Sequence, residues 1–196
     1  MNINLREMHG EELRHLLVKA DTYTKQAMVN AGKVAPTIFY KSIDGVGMCV
    51  GDAITDEKSK ENFAMMARLT CVAHGATAAV FVGEGWSKVA KKNEVLDLSK
   101  PPSQYPDRRE VLMVTGETRY ENCQKLLPIH RSDSGKFMGF GEPHHVGTEK
   151  VKGRFAQFLP QNFPDLETQR KAKEMLLIFV REHHQHRGRD RGFAMG

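Results

Sequence analysis

The residues best suited to bind a ligand or a partner lie between positions 83 and 109. Compact domains usually join strands by about 2 to 6 residues, and longer connections tend to be functional. If the flanking strands pair, this segment brings an acid, two aromatic rings and an arginine pair to one end of a sheet, where they could hold a planar or anionic group. The candidate binding residues are Glu84, Trp86, Tyr105, Asp107, Arg108 and Arg109.

A purely structural role is the competing interpretation of this segment. In that case Trp86 fills the core, Asp107 pairs with an arginine, and the prolines stiffen the connection. Perturbed polar clusters of this kind are often structural rather than functional.

A hydrolase-like activity is the enzymatic alternative. It would use Glu84 or Asp107 as the base, and Arg108 or Arg109 to stabilise an oxyanion. The chain has neither the glycine spacing of a Walker loop nor that of a dinucleotide-binding loop, and no catalytic residue can be assigned. The leading hypothesis is therefore a non-catalytic ligand- or protein-binding module that uses segment 83–109. A homodimer is also compatible with the sequence.

A third hypothesis is association with nucleic acid through the basic segment 150–158. Its cations alternate with aromatic rings, which is typical of surfaces that grip a backbone while stacking bases. The residues concerned are Lys150, Lys152, Arg154 and Phe155, together with the basic tail. The alternative is that Phe155 and Phe158 pack inward beneath the aliphatic parts of the basic side chains. The net charge of +5 is diluted over the chain and favours polyanions only weakly.

Histidines and cysteines do not form a recognisable metal site in the sequence. Cys71 and His74 are three residues apart on one predicted helix, but the nine histidines show no ligand spacing typical of zinc. The three cysteines are far apart and lie in apolar neighbourhoods, which indicates reduced core residues. We expect no metal and no cofactor.

The elements that position these residues follow from hydrophobic periodicity and turn signals. The sequence predicts helices over 11–31, 56–74 and 165–182, and strands over 37–41, 46–50, 77–82, 110–116, 124–130 and 136–140. The fold class is therefore α+β, with an antiparallel central sheet of five to six strands flanked by three helices. The order α-β-β-α-β-(long loop)-β-β-β-α is compatible with a profilin-like, roadblock or GAF topology.

Several single residues are predicted to begin, end or interrupt these elements. Gly32 ends the first helix, Gly45 completes a hairpin turn, Thr55 caps the second helix and Asp165 caps the last one. Pro128 marks an edge strand or a bulge, because proline cannot donate to a ladder of hydrogen bonds.

The domain organisation is predicted to be simple. Residues 1–182 form one α+β domain, and residues 183–196 form a basic, flexible tail rich in histidine and arginine. The first residues are polar and include an acid, unlike a signal peptide, and no apolar stretch is long enough to cross a bilayer. We therefore expect a cytoplasmic protein without a membrane partner.

Three phrases in the chain carry a resemblance. They are Ala-Pro-Thr-Ile-Phe-Tyr (35–40), Gly-Ala-Thr-Ala-Ala-Val-Phe-Val-Gly-Glu-Gly-Trp (75–86) and Pro-Asp-Arg-Arg-Glu-Val-Leu-Met-Val (106–114). Through them the chain resembles a group of small bacterial and phage-borne proteins of unassigned function, over about residues 10–142. The resemblance implies no activity or cofactor, and it draws attention to the same segment as the residue types do.

Overall fold

The chain forms three helices and seven strands within the residues that the computed structural model describes, which are 4–88, 97, 99–146 and 154–192. The helices are α1 (Leu5–Ala31), α2 (Glu57–Ala73) and α3 (Leu166–Gly192), with a short 3-10 turn at Pro102–Gln104. The strands are β1 (Thr37–Ser42), β2 (Gly45–Val50), β3 (Ala78–Ser87), β4 (Arg109–Thr118), β5 (Asn122–Arg131), β6 (Phe137–Phe140) and β7 (His144–Val146).

All strands belong to one antiparallel sheet. Its order is β2-β1-β3-β4-β5-β6, with β7 paired to β5. The longest pairing joins β3 to β4, from Ala78 opposite Thr118 to Ser87 opposite Arg109. The predicted α+β class, the antiparallel sheet and the three helices are thus confirmed.

Alternation along the strands divides the core into two halves, because successive side chains point to opposite faces of a sheet. Helix α1 covers one face, where its buried residues contact alternate residues of β1, β3 and β4: Leu13, Leu16, Ala20 and Met28 pack with Phe39, Val80, Val82, Leu112 and Val114. Helix α2 covers the other face, where Phe63, Ala67 and Cys71 pack with Ile38, Ala79, Phe81 and Phe158.

The helix ends follow local chemistry, with one correction. Gly32 adopts the left-handed conformation (φ 67°) and its N–H donates to Met28 O, as predicted. The cap of α2 is Asp56, not Thr55. The Asp56 carboxylate accepts from Ser59 N at 2.7 Å, while Ser59 Oγ accepts from Asp56 N at 3.0 Å. This reciprocal pair satisfies two free N–H groups at once, which Thr55 could not do.

Strand β3 is longer than predicted. The sequence placed its end at residue 82, but pairing with β4 continues to Ser87, so Glu84 and Trp86 lie on a strand rather than in a loop. Gly83 has a specific role there, because a Cβ at this position would lie 2.7 Å from the Phe81 ring. The connection between β3 and β4 is therefore residues 88–108, of which 89–96 and 98 lie outside the described part.

Two further elements differ from expectation in detail. Strand β5 is flanked on both sides, so Pro128 is not on an edge; it lies where the pairing with β7 stops and the pairing with β6 begins. Asp165 caps α3 as predicted, since its carboxylate accepts from Thr168 N at 2.7 Å. Helix α3 ends at Gly192 instead of about Glu182.

None of the helices within the described residues combines the length and apolar character needed to cross a membrane.

Candidate functional site

The Arg108 guanidinium lies over the Trp86 indole, with its central carbon 4.5 Å from the ring centroid. Trp86 is 45% exposed although it lies on a central strand. The reason is positional: Trp86 points to the α1 face of the sheet, but the chain that follows α1 reaches only as far as Glu84, where Val34 N donates to the carboxylate. The indole therefore projects just beyond the covered part of the sheet.

A turn rich in proline positions Arg108. Residues Pro102–Gln104 form the 3-10 turn, which Tyr105 N closes by donating to Pro102 O. Arg108 Nη1 donates to Ser103 O at 2.9 Å, so the guanidinium is anchored at one end and stacked on the indole at its face. Proline restricts the backbone, so this turn and the anchor of Arg108 are held in one conformation.

Tyr105 and Asp107 lie beside this stack. The Lys100 ammonium is 4.6 Å from the Tyr105 ring centroid, and Tyr105 OH donates to Asp97 O at 3.0 Å. Asp107 forms an ion pair of 2.8 Å with Lys88, whose side chain is only 3% exposed. We call the group formed by Trp86, Lys100, Tyr105 and Arg108 the Trp86 surface.

Glu84, a predicted member of this site, belongs to a different cluster. Its carboxylate accepts from Val34 N and lies 3.8 Å from Arg131. Burial raises the pKa of Glu84 above its ordinary value. Because Glu84 faces Arg131 rather than Arg108 or Arg109, the convergence expected from the sequence is wrong for this residue, and Glu84 gives the hydrolase-like hypothesis no geometric support.

Arg109 also diverges from its neighbour. It is exposed at the start of β4 and lines a shallow cleft with Glu110, His130 and Glu142. Consecutive residues at a strand start point to opposite sides, so the arginine pair seen in the sequence does not act as one group. Of the six predicted residues, the structure brings together Trp86, Tyr105, Asp107 and Arg108.

The residues of the nucleic-acid hypothesis lie in other surroundings. Arg154 forms an ion pair with Glu57 and lies 3.7 Å from Glu61. Phe155 stacks on Phe81, with ring centroids 4.7 Å apart and planes 8° from parallel. This is the inward packing that the sequence offered as the alternative. Lys150 and Lys152 lie outside the described residues, as do the side chains that follow Arg181.

Cys71 and His74 have separate environments. Cys71 is fully buried, and burial raises the pKa of its thiol well above the ordinary value. His74 stacks on Tyr40, with ring centroids 4.8 Å apart. In the described ranges, no three or more histidine, cysteine, aspartate or glutamate side chains are grouped to hold a metal ion.

Sequence reasoning missed Lys88, Lys100 and Ser103 as parts of this site. All three lie within the segment 83–109 that the sequence singles out, but their contacts depend on the fold of the turn. Comparisons with protein-family models, with curated proteins and with solved structures found no match.

Proposed function

We propose that this protein is a non-catalytic binding module that contacts an acidic segment of a partner protein through the Trp86 surface. The observation that carries the proposal is the half-exposed indole of Trp86 with the Arg108 guanidinium stacked upon it. A tryptophan that is 45% exposed offers a large apolar ring surface that a partner can bury.

The composition of the surface is that of an interaction hot spot. Tryptophan, tyrosine and arginine are the residue types that contribute most to binding energy at protein interfaces. All three occur here within one ordered turn and the adjoining strand end, and Arg108 N donates to Tyr105 O at 3.3 Å. Aromatic rings and an anchored guanidinium lose little conformational freedom on binding.

The charge of the surface favours an acidic partner. Asp107 is held by the buried Lys88, whereas the side chain of Arg108 is exposed and, among the described residues, its guanidinium donates only to the Ser103 carbonyl. Lys100 adds a second cation beside Tyr105. A carboxylate of the partner could therefore pair with Arg108 while the indole is covered by an apolar side chain.

The experiment compares partner capture by matched variants of the full chain. Immobilised wild-type protein, Trp86→Ala, Arg108→Gln and the control Met48→Ala are incubated with a lysate of the source organism, and captured proteins are quantified by mass spectrometry. Met48 is a suitable control because it is also exposed, at 55%, but lies on the far edge strand β2. Binding of each captured protein is then measured by titration with purified material.

The proposal predicts a partner that wild type and Met48→Ala bind equally, and that Trp86→Ala and Arg108→Gln bind at least about tenfold more weakly. An acidic binding segment would also lose affinity as salt is added. Parallel titrations with oligothymidylate test the competing class. If oligothymidylate binds through Trp86 and no protein does, or if every captured partner binds Trp86→Ala unchanged, the proposal is wrong.

A further inference from the structure

Buried polar atoms without hydrogen-bond partners in the described part of the chain lie at the opposite end of the sheet, around the turn that joins β4 to β5. Across the described residues, five buried side-chain nitrogen or oxygen atoms lack a hydrogen-bond partner. They are His9 Nδ1, Asn122 Oδ1 and all three guanidinium nitrogens of Arg119. Buried polar groups in folded proteins are nearly always paired, so each exception requires an explanation.

All of these atoms belong to one small region. Arg119 lies in the turn that joins β4 to β5, and Asn122 is the first residue of β5. His9 is only 7% exposed and its ring lies 5.5 Å from that of Tyr120, in the same turn. Random imperfections of packing would be scattered over the molecule, whereas unpartnered groups concentrated at one turn indicate a missing binding partner.

The same turn borders a cleft with a volume of about 890 Å³. Its walls are α1, the β4–β5 turn and the segment 157–161. Arg119 and Asn122 both line it, and so does Gly10, which adjoins His9. We call it the Arg119 cleft. A cleft of this size can bury most of a small organic molecule.

The charges around the cleft favour an anion. Arg6 and Arg14 of α1 line it together with Arg119. Two acids line it as well, so three arginines outnumber Glu117 and Glu121. Both oxygens of Glu117 accept from Gln157 N and Leu159 N, and Glu121 is exposed.

The state of the Arg119 guanidinium is the most informative detail. One face of the guanidinium lies against the Phe163 ring, with the central carbon 5.0 Å from the ring centroid. The N–H groups point outward in the plane of the guanidinium, so acceptors must approach from its edge. Arginine stays protonated in proteins, and a buried charge without a partner is strongly unfavourable. A carboxylate or phosphate can accept two parallel hydrogen bonds from this edge.

We infer that the Arg119 cleft binds a small molecule through an oxyanion, a carboxylate or a phosphate, that pairs with Arg119 while a hydroxyl or amine of the same molecule reaches Asn122. An amide can accept or donate, so Asn122 suits either group. The guanidinium nitrogens are covered from bulk solvent, so side chains of the cleft wall move aside when the oxyanion enters.

The test measures binding of two defined probes, sodium phosphate and sodium citrate, to the full chain at constant ionic strength adjusted with sodium chloride. Thermal unfolding and isothermal titration are recorded for wild type, Arg119→Met and the matched control Arg170→Met. Arg170 is an exposed arginine of α3, paired with Glu174 and outside the cleft. The probe that binds more tightly identifies the anionic group.

The inference predicts that at least one probe raises the unfolding temperature of wild type saturably, beyond the chloride control. It also predicts that Arg119→Met weakens binding at least about tenfold, whereas Arg170→Met does not. Without probe, Arg119→Met should unfold at the same or a higher temperature than wild type, because an unpaired buried charge has been removed. A purely structural arginine would instead leave a destabilised protein.

Asn122→Asp provides an independent variant if Arg119→Met does not fold. It keeps the side-chain shape but places a negative charge beside the bound anion, so binding should again weaken at least about tenfold. The inference is overturned if wild type shows no saturable response to either probe, or if the affinity survives in Arg119→Met or Asn122→Asp. It does not depend on the proposed function, since the two sites lie at opposite ends of β4.

Discussion

Arg131 forms a bidentate ion pair with Glu110, in which Nε and Nη2 each lie 2.7 Å from a carboxylate oxygen. The same guanidinium donates through Nη1 to Gly32 O at 2.8 Å, so it links β4 and β5 to the C-terminal end of α1. Arg131 Nη2 also lies 3.8 Å from the Glu84 carboxylate. Arg131, Glu110 and Glu84 therefore form a structural cluster beside the Trp86 surface.

The first prediction concerns this cluster. Arg131→Gln removes both arms of the ion pair and should lower the free energy of unfolding by about 1–3 kcal/mol, since both side chains are only 23% exposed. Urea denaturation measures the change. Lys25→Gln, which breaks an exposed pair with Asp21, should cost less than about 1 kcal/mol. Equal effects of the two substitutions would show that Arg131 has no special structural role.

The second prediction concerns Glu117, which is 6% exposed and accepts from Gln157 N at 2.8 Å and from Leu159 N at 2.6 Å. In Glu117→Gln, an amide NH₂ must face a backbone N–H, so stability at pH 7 should fall by about 1–3 kcal/mol. The control Glu121→Gln, on the exposed part of the same turn, should change stability by less than about 0.5 kcal/mol. If the two variants are equally stable, Glu117 does not anchor this segment.

The third prediction concerns how the stability difference between wild type and Glu117→Gln depends on pH. Burial raises the pKa of Glu117 above its ordinary value of 4.5, so the folded state takes up a proton at a higher pH than the unfolded state does. Stability contributed by Glu117 must therefore increase as the pH falls from neutral through the folded-state pKa, and level off below 4.5. The stability of wild type relative to Glu117→Gln, measured at pH 7, 6 and 5, should grow. A shrinking difference would contradict the direction of this shift.

The fourth prediction concerns the thiols. Cys71 is fully buried and its pKa is raised, so little reactive thiolate forms. In native protein Cys71 should resist a disulfide reagent such as DTNB until the chain unfolds, while the half-buried Cys49 and Cys123 react slowly. Peptide mapping identifies the labelled residue. Labelling of native Cys71 at the rate of a free thiol would contradict its burial.

The parts of the fold that sequence reasoning found are those with local causes. The Asp44–Gly45 hairpin, the Gly32 end of α1 and the Asp165 cap all depend on residues within a few positions of each other. Their turn and capping preferences operate independently of the rest of the chain.

The parts that it missed have distant causes. Gly83-Glu84-Gly85 looks like a loop, but pairing with β4 makes it a strand, and Glu84 is fixed by Arg131 from β5. Nothing in the sequence singles out the Arg119 turn, because only the fold brings the ring of Phe163 onto the guanidinium. Contacts between residues so far apart in the chain produce no local sequence pattern from which they could be predicted.

The most direct test of the central claim uses Trp86 itself, because it is the chain's single tryptophan. Its fluorescence reports this surface without a label. In the free protein acrylamide should quench the indole readily, as expected for a side chain that is 45% exposed. Adding the partner captured by wild type should shield the indole saturably, and Arg108→Gln should weaken that titration at least about tenfold. If the partner binds while the emission and quenching of Trp86 stay unchanged, the claim that this surface is the binding site is contradicted.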